Sequence, residues 1–164
     1  MQTKTLAVTD LKTAKLAMIN APFLQTGVWQ RQKERANRVG AHPDIVEFER
    51  RFIAKFAKMN IPMFTVYCQR NAAEQDALYV QGRSKARAGQ SPHNYGLAVD
   101  IVHSVMAWDM PKLCWQIVEH VGKETAIQAG IDVTWGGDFR SIYDPAHWQL
   151  ANWRDLAKRA NPAA

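Results

Sequence analysis

The chain has 164 residues, 47% of them hydrophobic and 22% charged, which fits one globular domain. Its core is large enough to fold without disulfides or a structural metal. No stretch approaches the roughly 20 apolar residues of a membrane-spanning helix, and residues 1–16 lack the continuous apolar segment of a signal peptide. The formal net charge of +6 indicates an anionic partner, either nucleic acid or the acidic polymers of a bacterial wall.

The N-terminal part, residues 1–60, is predicted to be mainly helical. A first helix begins at a capping Thr9 or Asp10 and ends near residue 19, and a polar second helix is expected at 28–38. Residues 44–59 give the clearest helix, because apolar side chains recur at every third or fourth position.

The remaining part is predicted to hold the catalytic motifs, within residues 61–150. The predicted elements are a strand at 61–68, a helix at 71–80, a strand at 95–102, a helix at 108–128, a strand at 131–135, a turn at 135–138, a strand at 148–150 and a helix at 153–159. Helices mixed with a few short strands predict an α+β fold, in which a small antiparallel sheet is flanked by helices.

The two cysteines, Cys68 and Cys114, lie far apart and follow no CxxC pattern. Buried free thiols are therefore favoured over a disulfide, which agrees with synthesis in the cytoplasm. The densest basic cluster, residues 31–38, is interrupted by Glu34 and is interpreted as a solvated helix face. Nucleic-acid binding consequently rests on charge alone and is not expected, and neither is a stable association with a membrane.

The first chemically informative segment is residues 91–100, with the sequence SPHNYGLAVD. Asp100 is predicted to share one strand face with Gly96 and Ala98, whose small side chains leave room above the sheet. A buried carboxylate needs a partner, so this face is interpreted as the wall of a cleft that holds a cation. His93 lies just before the strand, where a loop can fold its imidazole toward Asp100.

The second segment, residues 144–148, has the sequence DPAHW. Asp144 followed by proline is typical of a β-turn, whose ends lie within about 7 Å of each other. The turn would place the Asp144 carboxylate beside a metal bound by His147, without making Asp144 a ligand.

Together the two segments suit one Zn²⁺ ion bound by His93, Asp100 and His147. A structural zinc site usually has four protein ligands, whereas a catalytic site leaves one position for water. Bound zinc lowers the pKa of that water to about 7, and Asp144 would take its proton and pass it to the leaving amine. Either segment alone is explained by ordinary packing, but the two together are not.

The other histidines are not expected to be ligands. His42 is predicted to be solvated in a loop, and His120 is predicted to have a structural role on a helix. His103 could contact a metal ligand from the side away from the metal, but it is not expected to bind the metal itself.

At these residues the chain resembles the zinc D-alanyl-D-alanine carboxypeptidases and related phage endolysins that cut L-alanyl-D-glutamate bonds. Residues 91–100 match the family pattern Ser-x-His-x-x-Gly-x-Ala-x-Asp in full, and residues 144–148 match its acidic-x-x-His-aromatic element. The likeness covers residues 61–150 and includes the WGGDF turn at 135–139. It implies a fold shared with lysostaphin-type peptidases and the hedgehog signalling domain.

The resemblance implies that His93, Asp100 and His147 bind zinc and that Asp144 is the catalytic base. It further implies that Arg70 stabilises the oxyanion or grips a substrate carboxylate, the plain alternative being a surface salt bridge. Ser91 either hydrogen-bonds the substrate or only shapes its loop. The Trp135 turn is expected to be scaffold.

Two departures from the family pattern bear on the function. Asp144 stands where carboxypeptidases typically have Glu, which is more similar to the endolysin branch. Gln149 stands where many relatives have Glu, so a carboxylate behind the ligands is lacking there.

These features predict a monomeric zinc endolysin of a bacteriophage, which hydrolyses the L-alanyl-D-glutamate bond of peptidoglycan stem peptides by attack of a zinc-bound water. The protein would remain in the cytoplasm until a holin opens the membrane and would then lyse the host cell. The alternatives are a D,D-carboxypeptidase on the same scaffold and a non-catalytic, zinc-containing module that binds the wall.

Overall fold

The structure is a computed structural model that describes residues 7–160. These residues form one antiparallel sheet, in the strand order β1-β2-β4-β3, together with six α-helices. The strands are β1 (Met63–Tyr67), β2 (Ala98–His103), β3 (Val133–Trp135) and β4 (His147–Leu150). The helices are α1 (Leu11–Met18), α2 (Gly27–Glu34), α3 (Pro43–Lys58), α4 (Ala72–Val80), α5 (Lys112–Ala129) and α6 (Trp153–Ala160). The predicted α+β class is confirmed, and none of these helices is long and apolar enough to cross a bilayer.

Helix α3 supplies the largest aromatic part of the core. Phe48, Phe52 and Phe56 are fully buried along one side of it, as their spacing predicts. The rings of Phe48 and Phe52 lie 5.3 and 5.8 Å from that of Trp148 on β4. The N-terminal helices therefore belong to the same core as the sheet.

A partly buried ion pair fixes the segment between α2 and α3. Helix α2 ends at Glu34 rather than at 38, because the chain turns and Arg38 reaches back to the carbonyl oxygens of Lys33 and Ala36. The Arg38 guanidinium also binds the buried carboxylate of Glu49 on α3, with 2.9 Å between Nε and Oε2. Thr65 donates its hydroxyl to the same carboxylate, so the network ties α3 to β1.

Strand β2 begins at Ala98, not at residue 95. Residues Pro92–Tyr95 form a short 3-10 helix, and Gly96 follows it with a φ of 64°. A Cβ atom on Gly96 would lie 2.6 Å from the Cα of Ala41, so this glycine permits a close approach of two loops. The prediction that Gly96 opens space on the Asp100 strand face is therefore wrong, since its role is set by a contact distant in sequence.

Other predicted features differ by only a few residues or agree. Helix α5 starts after Pro111 rather than at 108, because the chain first makes a turn closed by the pairing of His103 with Ala107. Cys68 and Cys114 are buried free thiols, as predicted. Burial, assisted by the nearby Glu49 carboxylate, raises the pKa of the Cys68 thiol to about 12.

Candidate metal centre

The register of the sheet brings the two informative segments together. Asp100 on β2 pairs directly with His147, the first residue of β4. Val99 and Ile101, on either side of Asp100, are fully buried in the core, so Asp100 lies on the opposite face of the sheet. His93 reaches the same place from the 3-10 helix that precedes β2.

Three side-chain atoms form a compact triangle at this point. Oδ1 of Asp100 lies 3.2 Å from Nε2 of His93 and 3.0 Å from Nδ1 of His147, and the two nitrogens are 3.2 Å apart. Ligand atoms about 2.0–2.2 Å from a tetrahedral zinc ion lie about 3.3–3.6 Å from one another. The three buried residues thus form a group that could hold one metal ion.

The hydrogen bonds behind both rings fix which nitrogen faces the triangle. Nδ1 of His93 lies 2.8 Å from the carbonyl oxygen of Cys68 and must donate to it. Nε2 of His147 lies 2.9 Å from Oε1 of Gln149 and donates there. When both rings are neutral, the inward nitrogens are therefore acceptors, like the oxygen of Asp100. Three converging lone pairs repel one another unless a cation lies between them, so the donor set fits zinc.

The charge of Asp100 is strongly stabilised. Burial alone would raise the pKa of this carboxyl, but the two imidazoles hold it well below its usual value. Burial likewise opposes the charged form of His147, yet hydrogen bonds to Asp100 and Gln149 raise its pKa. The carboxylate is consequently available as a ligand throughout the physiological range of pH.

Arg70 binds the second oxygen of Asp100. Its Nη2 lies 3.3 Å from Oδ2, Nη1 donates to Gln75 at 2.8 Å, and the guanidinium stacks over the ring of Tyr67. Arg70 is only 6% exposed, so the alternative of a surface salt bridge is wrong. Its buried Nε has no hydrogen-bond partner among residues 7–160.

Asp144 lies beside the triangle on the predicted turn. The backbone N–H of His147 donates to the Asp144 carbonyl oxygen at 3.1 Å, which closes that turn. The Asp144 side chain is half-buried and makes no hydrogen bond within the described part of the chain. Burial and the negative charge of Asp100 raise the pKa of the Asp144 carboxyl.

The sequence left two roles open for Ser91, and the structure shows a contact that shapes its loop. Its Oγ accepts a hydrogen bond from the backbone N–H of His93 at 3.3 Å and caps the 3-10 helix. Contact of Ser91 with a substrate stays a prediction. Trp135 is scaffold, as expected, since its buried ring donates from Nε1 to the carbonyl oxygen of Pro145 at 2.8 Å.

The other histidines lie outside the triangle. His103 is bonded to the carbonyl oxygen of Met18 rather than to any ligand, so it gives no support from behind the site. His42 caps α3 and is half-buried, and His120 is exposed on α5, which contradicts its structural assignment. The sequence put a contact from residue 149 in doubt because Gln replaces Glu there, yet the Gln149 amide oxygen makes this contact with the His147 ring. Its spacing of two from His147 on one strand is consistent with the contact.

The metal-binding group lies in a groove of about 980 Å³. Residues from all four strands line this groove, namely Tyr67 on β1, Asp100 on β2, His147 and Gln149 on β4, and Thr134 on β3. Two of the three candidate ligands, Asp100 and His147, are on the two central strands. Because neighbouring strands lie about 4.8 Å apart, the groove continues on both sides of these two residues.

Comparison with known proteins agrees with this geometry. The D-alanyl-D-alanine carboxypeptidase family matches residues 84–150. The peptidoglycan L-alanyl-D-glutamate endopeptidase CwlK of Bacillus subtilis (strain 168) is 31% identical over 127 residues, which are 66% of this chain and 72% of CwlK. The chain belongs to this family of zinc peptidases. The predicted family, the zinc requirement and the assignment as a metallopeptidase are confirmed.

The fold is also shared with a solved member. The crystal structure of the Serratia marcescens L-Ala D-Glu endopeptidase ChiX superposes with a TM-score of 0.59 and 28% sequence identity. The superposition covers 77% of this chain and 90% of ChiX. The small antiparallel sheet flanked by helices is therefore a family fold.

Proposed function

We propose that this zinc peptidase hydrolyses the L-alanyl-D-glutamate bond of peptidoglycan stem peptides. The observation that carries the proposal is the groove, which crosses the whole sheet with the candidate ligands at its centre. An endopeptidase needs space for substrate residues on both sides of the scissile bond. CwlK and ChiX, which are similar to this chain, both carry the name of that activity.

In this proposal His93, Asp100 and His147 hold the zinc ion. When bound, the ion supplies a Lewis acid that polarises the scissile carbonyl and the attacking water. Support comes from the spacing of the three atoms and from the outward hydrogen bonds of both rings.

Asp144 is the proposed general base. It accepts the proton of the attacking water and delivers it to the leaving amine nitrogen, so the reaction releases a carboxylate and an amine. Two features support this role: the side chain lines the groove, and no hydrogen bond within residues 7–160 occupies its carboxylate.

Arg70 and Ser91 act on the substrate and on the shape of the site. Arg70 holds Asp100 through Oδ2, and its positive charge stabilises the oxyanion that develops at the scissile carbonyl. Ser91 keeps the 3-10 helix in place, and its hydroxyl proton is available to a substrate carbonyl.

The experiment is digestion of purified peptidoglycan with the zinc-loaded protein, followed by mass analysis of the fragments. Cleavage at L-alanyl-D-glutamate frees the amine of D-glutamate without loss of D-alanine. Release of terminal D-alanine alone would instead establish the D,D-carboxypeptidase, which the name of the matching family favours. A protein that binds the wall and releases nothing would be a non-catalytic module.

The biological setting is a further part of the proposal. Asp144 at the base position and the net charge of +6 favour a phage endolysin that acts on an anionic wall. Expression in a bacterial host with and without a holin tests this setting. Lysis that requires the holin supports an endolysin, whereas lysis or wall turnover without the holin contradicts it.

A further inference from the structure

One end of the groove includes residues that follow the family match. Thr134 on β3 and Gln149 on β4 are paired in the sheet and line the groove there, followed by Ala151. Helix α6 then begins, and its first two residues, Trp153 and Arg154, also line the groove. The family match ends at residue 150, so this end is formed partly by residues outside it.

Arg154 is held in a defined orientation without a charged partner. Its guanidinium lies 4.7 Å from the centre of the Trp153 ring, a stacking distance for a planar cation. Within residues 7–160 no carboxylate lies within 4.0 Å of the Arg154 side chain. A stacked guanidinium presents its N–H groups as a planar fork, which matches the two oxygens of a carboxylate.

Trp153 is the support on which the Arg154 guanidinium stacks. The residue is only 8% exposed, and its buried Nε1 has no hydrogen-bond partner in the described part of the chain. Its burial holds the indole ring, on which the Arg154 guanidinium stacks, in one position.

The charge along the groove favours an anion rather than a neutral ligand. Arg83, Lys85 and Arg140 also line it, and none of them has a carboxylate partner among residues 7–160. The carboxylates of Asp100 and Asp144 are the acidic groups of the lining, and both belong to the metal centre. A substrate that carries free carboxylates would neutralise the excess positive charge.

We infer that Arg154, stacked on Trp153, forms a subsite that binds a free carboxylate of the substrate. The inference rests on the proposed function for the nature of that substrate, an acidic stem peptide. The subsite thus selects stem peptides whose carboxylates are free over those in which they are amidated.

Binding and hydrolysis of three synthetic peptides test the inference. One peptide is L-alanyl-γ-D-glutamyl-L-lysine with both carboxylates free, and each of the other two has one carboxylate converted to an amide. Binding is measured by calorimetry with zinc-loaded Asp144→Asn protein, whose slow hydrolysis should leave the peptides nearly intact during the titration. Arg154→Gln and Trp153→Phe are compared in the same background. The control is Arg159→Gln, an exposed arginine of α6 that does not line the groove.

We expect the free acid to bind about tenfold more tightly than at least one of the amides, as for one charge-assisted hydrogen-bonded pair. Arg154→Gln should abolish this preference and leave binding of that amide unchanged, whereas Arg159→Gln should preserve it. Trp153→Phe should lower affinity for the acid by a smaller factor at an unchanged melting temperature. If Trp153→Phe lowers the melting temperature, the inference is judged on the comparison of Arg154→Gln with Arg159→Gln alone.

Equal affinity for the acid and both amides would overturn the inference, as would equal effects of the two arginine changes. The wild-type protein is assayed for hydrolysis of the same peptides. Hydrolysis without carboxylate preference leaves the proposed function standing and removes the subsite. Binding preference through Arg154 without hydrolysis leaves the subsite standing and removes the proposed activity.

Discussion

The side-chain oxygen of Gln149 lies 2.9 Å from Nε2 of His147, two positions earlier on the same strand. This bond fixes the ring so that Nδ1 points at Asp100. Removal of such a bond behind a ligand typically weakens metal binding by about 10–100-fold. We therefore expect Gln149→Ala to lose zinc affinity by this factor, measured by competition with a chromophoric chelator. Gln149→Glu should retain it, because a carboxylate oxygen also accepts the bond.

The matched control for that experiment is Gln116→Ala, on the exposed side of α5. It should bind zinc as the wild type does. Equal affinities of Gln149→Ala and Gln116→Ala would show that the His147 ring needs no such support.

In the proposed mechanism Asp144 takes part in catalysis but not in metal binding. Asn has nearly the same shape but cannot take a proton, so Asp144→Asn should keep one bound zinc and lose about 10²–10⁴-fold in hydrolysis. Zinc content by mass spectrometry and the initial rate of wall digestion measure the two effects. Asp132→Asn, an exposed aspartate outside the groove, is the control and should be fully active. Undiminished hydrolysis by Asp144→Asn would remove it from the mechanism.

Gly122 on α5 contacts the core beneath the metal centre. A Cβ atom there would lie 2.2 Å from Cη2 and 2.4 Å from Cζ2 of Trp148. Alanine normally stabilises a helix interior by about 0.5–1 kcal/mol relative to glycine. Here we expect Gly122→Ala to lower the free energy of unfolding by about 1–3 kcal/mol, the usual cost of overpacking. Urea denaturation measures the change.

Gly27→Ala provides the control. A Cβ atom at Gly27 would lie 3.2 Å from Nη1 of Arg31, and this flexible end of a side chain can move away. That change should be neutral or stabilising. A stabilising Gly122→Ala would mean that the Trp148 ring moves away at little cost.

His103 should make stability depend on pH. The ring is 3% exposed, and Nε2 donates to the Met18 carbonyl oxygen at 2.9 Å. Burial lowers the pKa of His103 below 6.5, and the Met18 bond opposes this only in part. As the pH falls, His103 is therefore protonated at a higher pH in the unfolded chain than in the folded protein. The stability contributed by His103 is present above pH 6.5 and is lost as the pH falls toward the folded-state pKa.

Titration of the His103 ring by NMR measures this pKa directly. In addition, the loss of unfolding free energy between about pH 7.5 and about pH 5.5 should be smaller in His103→Gln than in the wild type. His120→Gln, at an exposed position on α5, should lose as much as the wild type. A His103 pKa at or above 6.5 would contradict the expectation.

Local patterns were sufficient for several elements of the fold. The apolar spacing in α3 and the capping box of Asn71 with Glu74 before α4 are present as predicted. These signals involve residues within one or two turns of each other. The start of β2 and the end of α2 were missed, because Gly96 and Arg38 are placed by contacts with Ala41 and Glu49. Such contacts leave no local periodicity.

The candidate site likewise contains residues that the sequence predicts and contacts that only the folded chain defines. The sequence predicts His93, Asp100 and His147 together, because core packing alone rarely requires two imidazoles and a carboxylate in two such short segments. The burial of Arg70 was not foreseen, since it follows from the neighbouring Gln75 and Asp100 rather than from its own sequence position. The bond from Gln149 depends on a side-chain orientation that only the folded strand defines.

The aromatic row of α3 limits how far this protein can be shortened. Phe48 and Phe52 cover the ring of Trp148, which directly follows His147, yet both precede the family match at 84–150. A fragment trimmed to the match would lose both phenylalanines, expose the Trp148 ring to water and release the backbone that carries His147. Any shortened form of this peptidase must therefore retain helix α3.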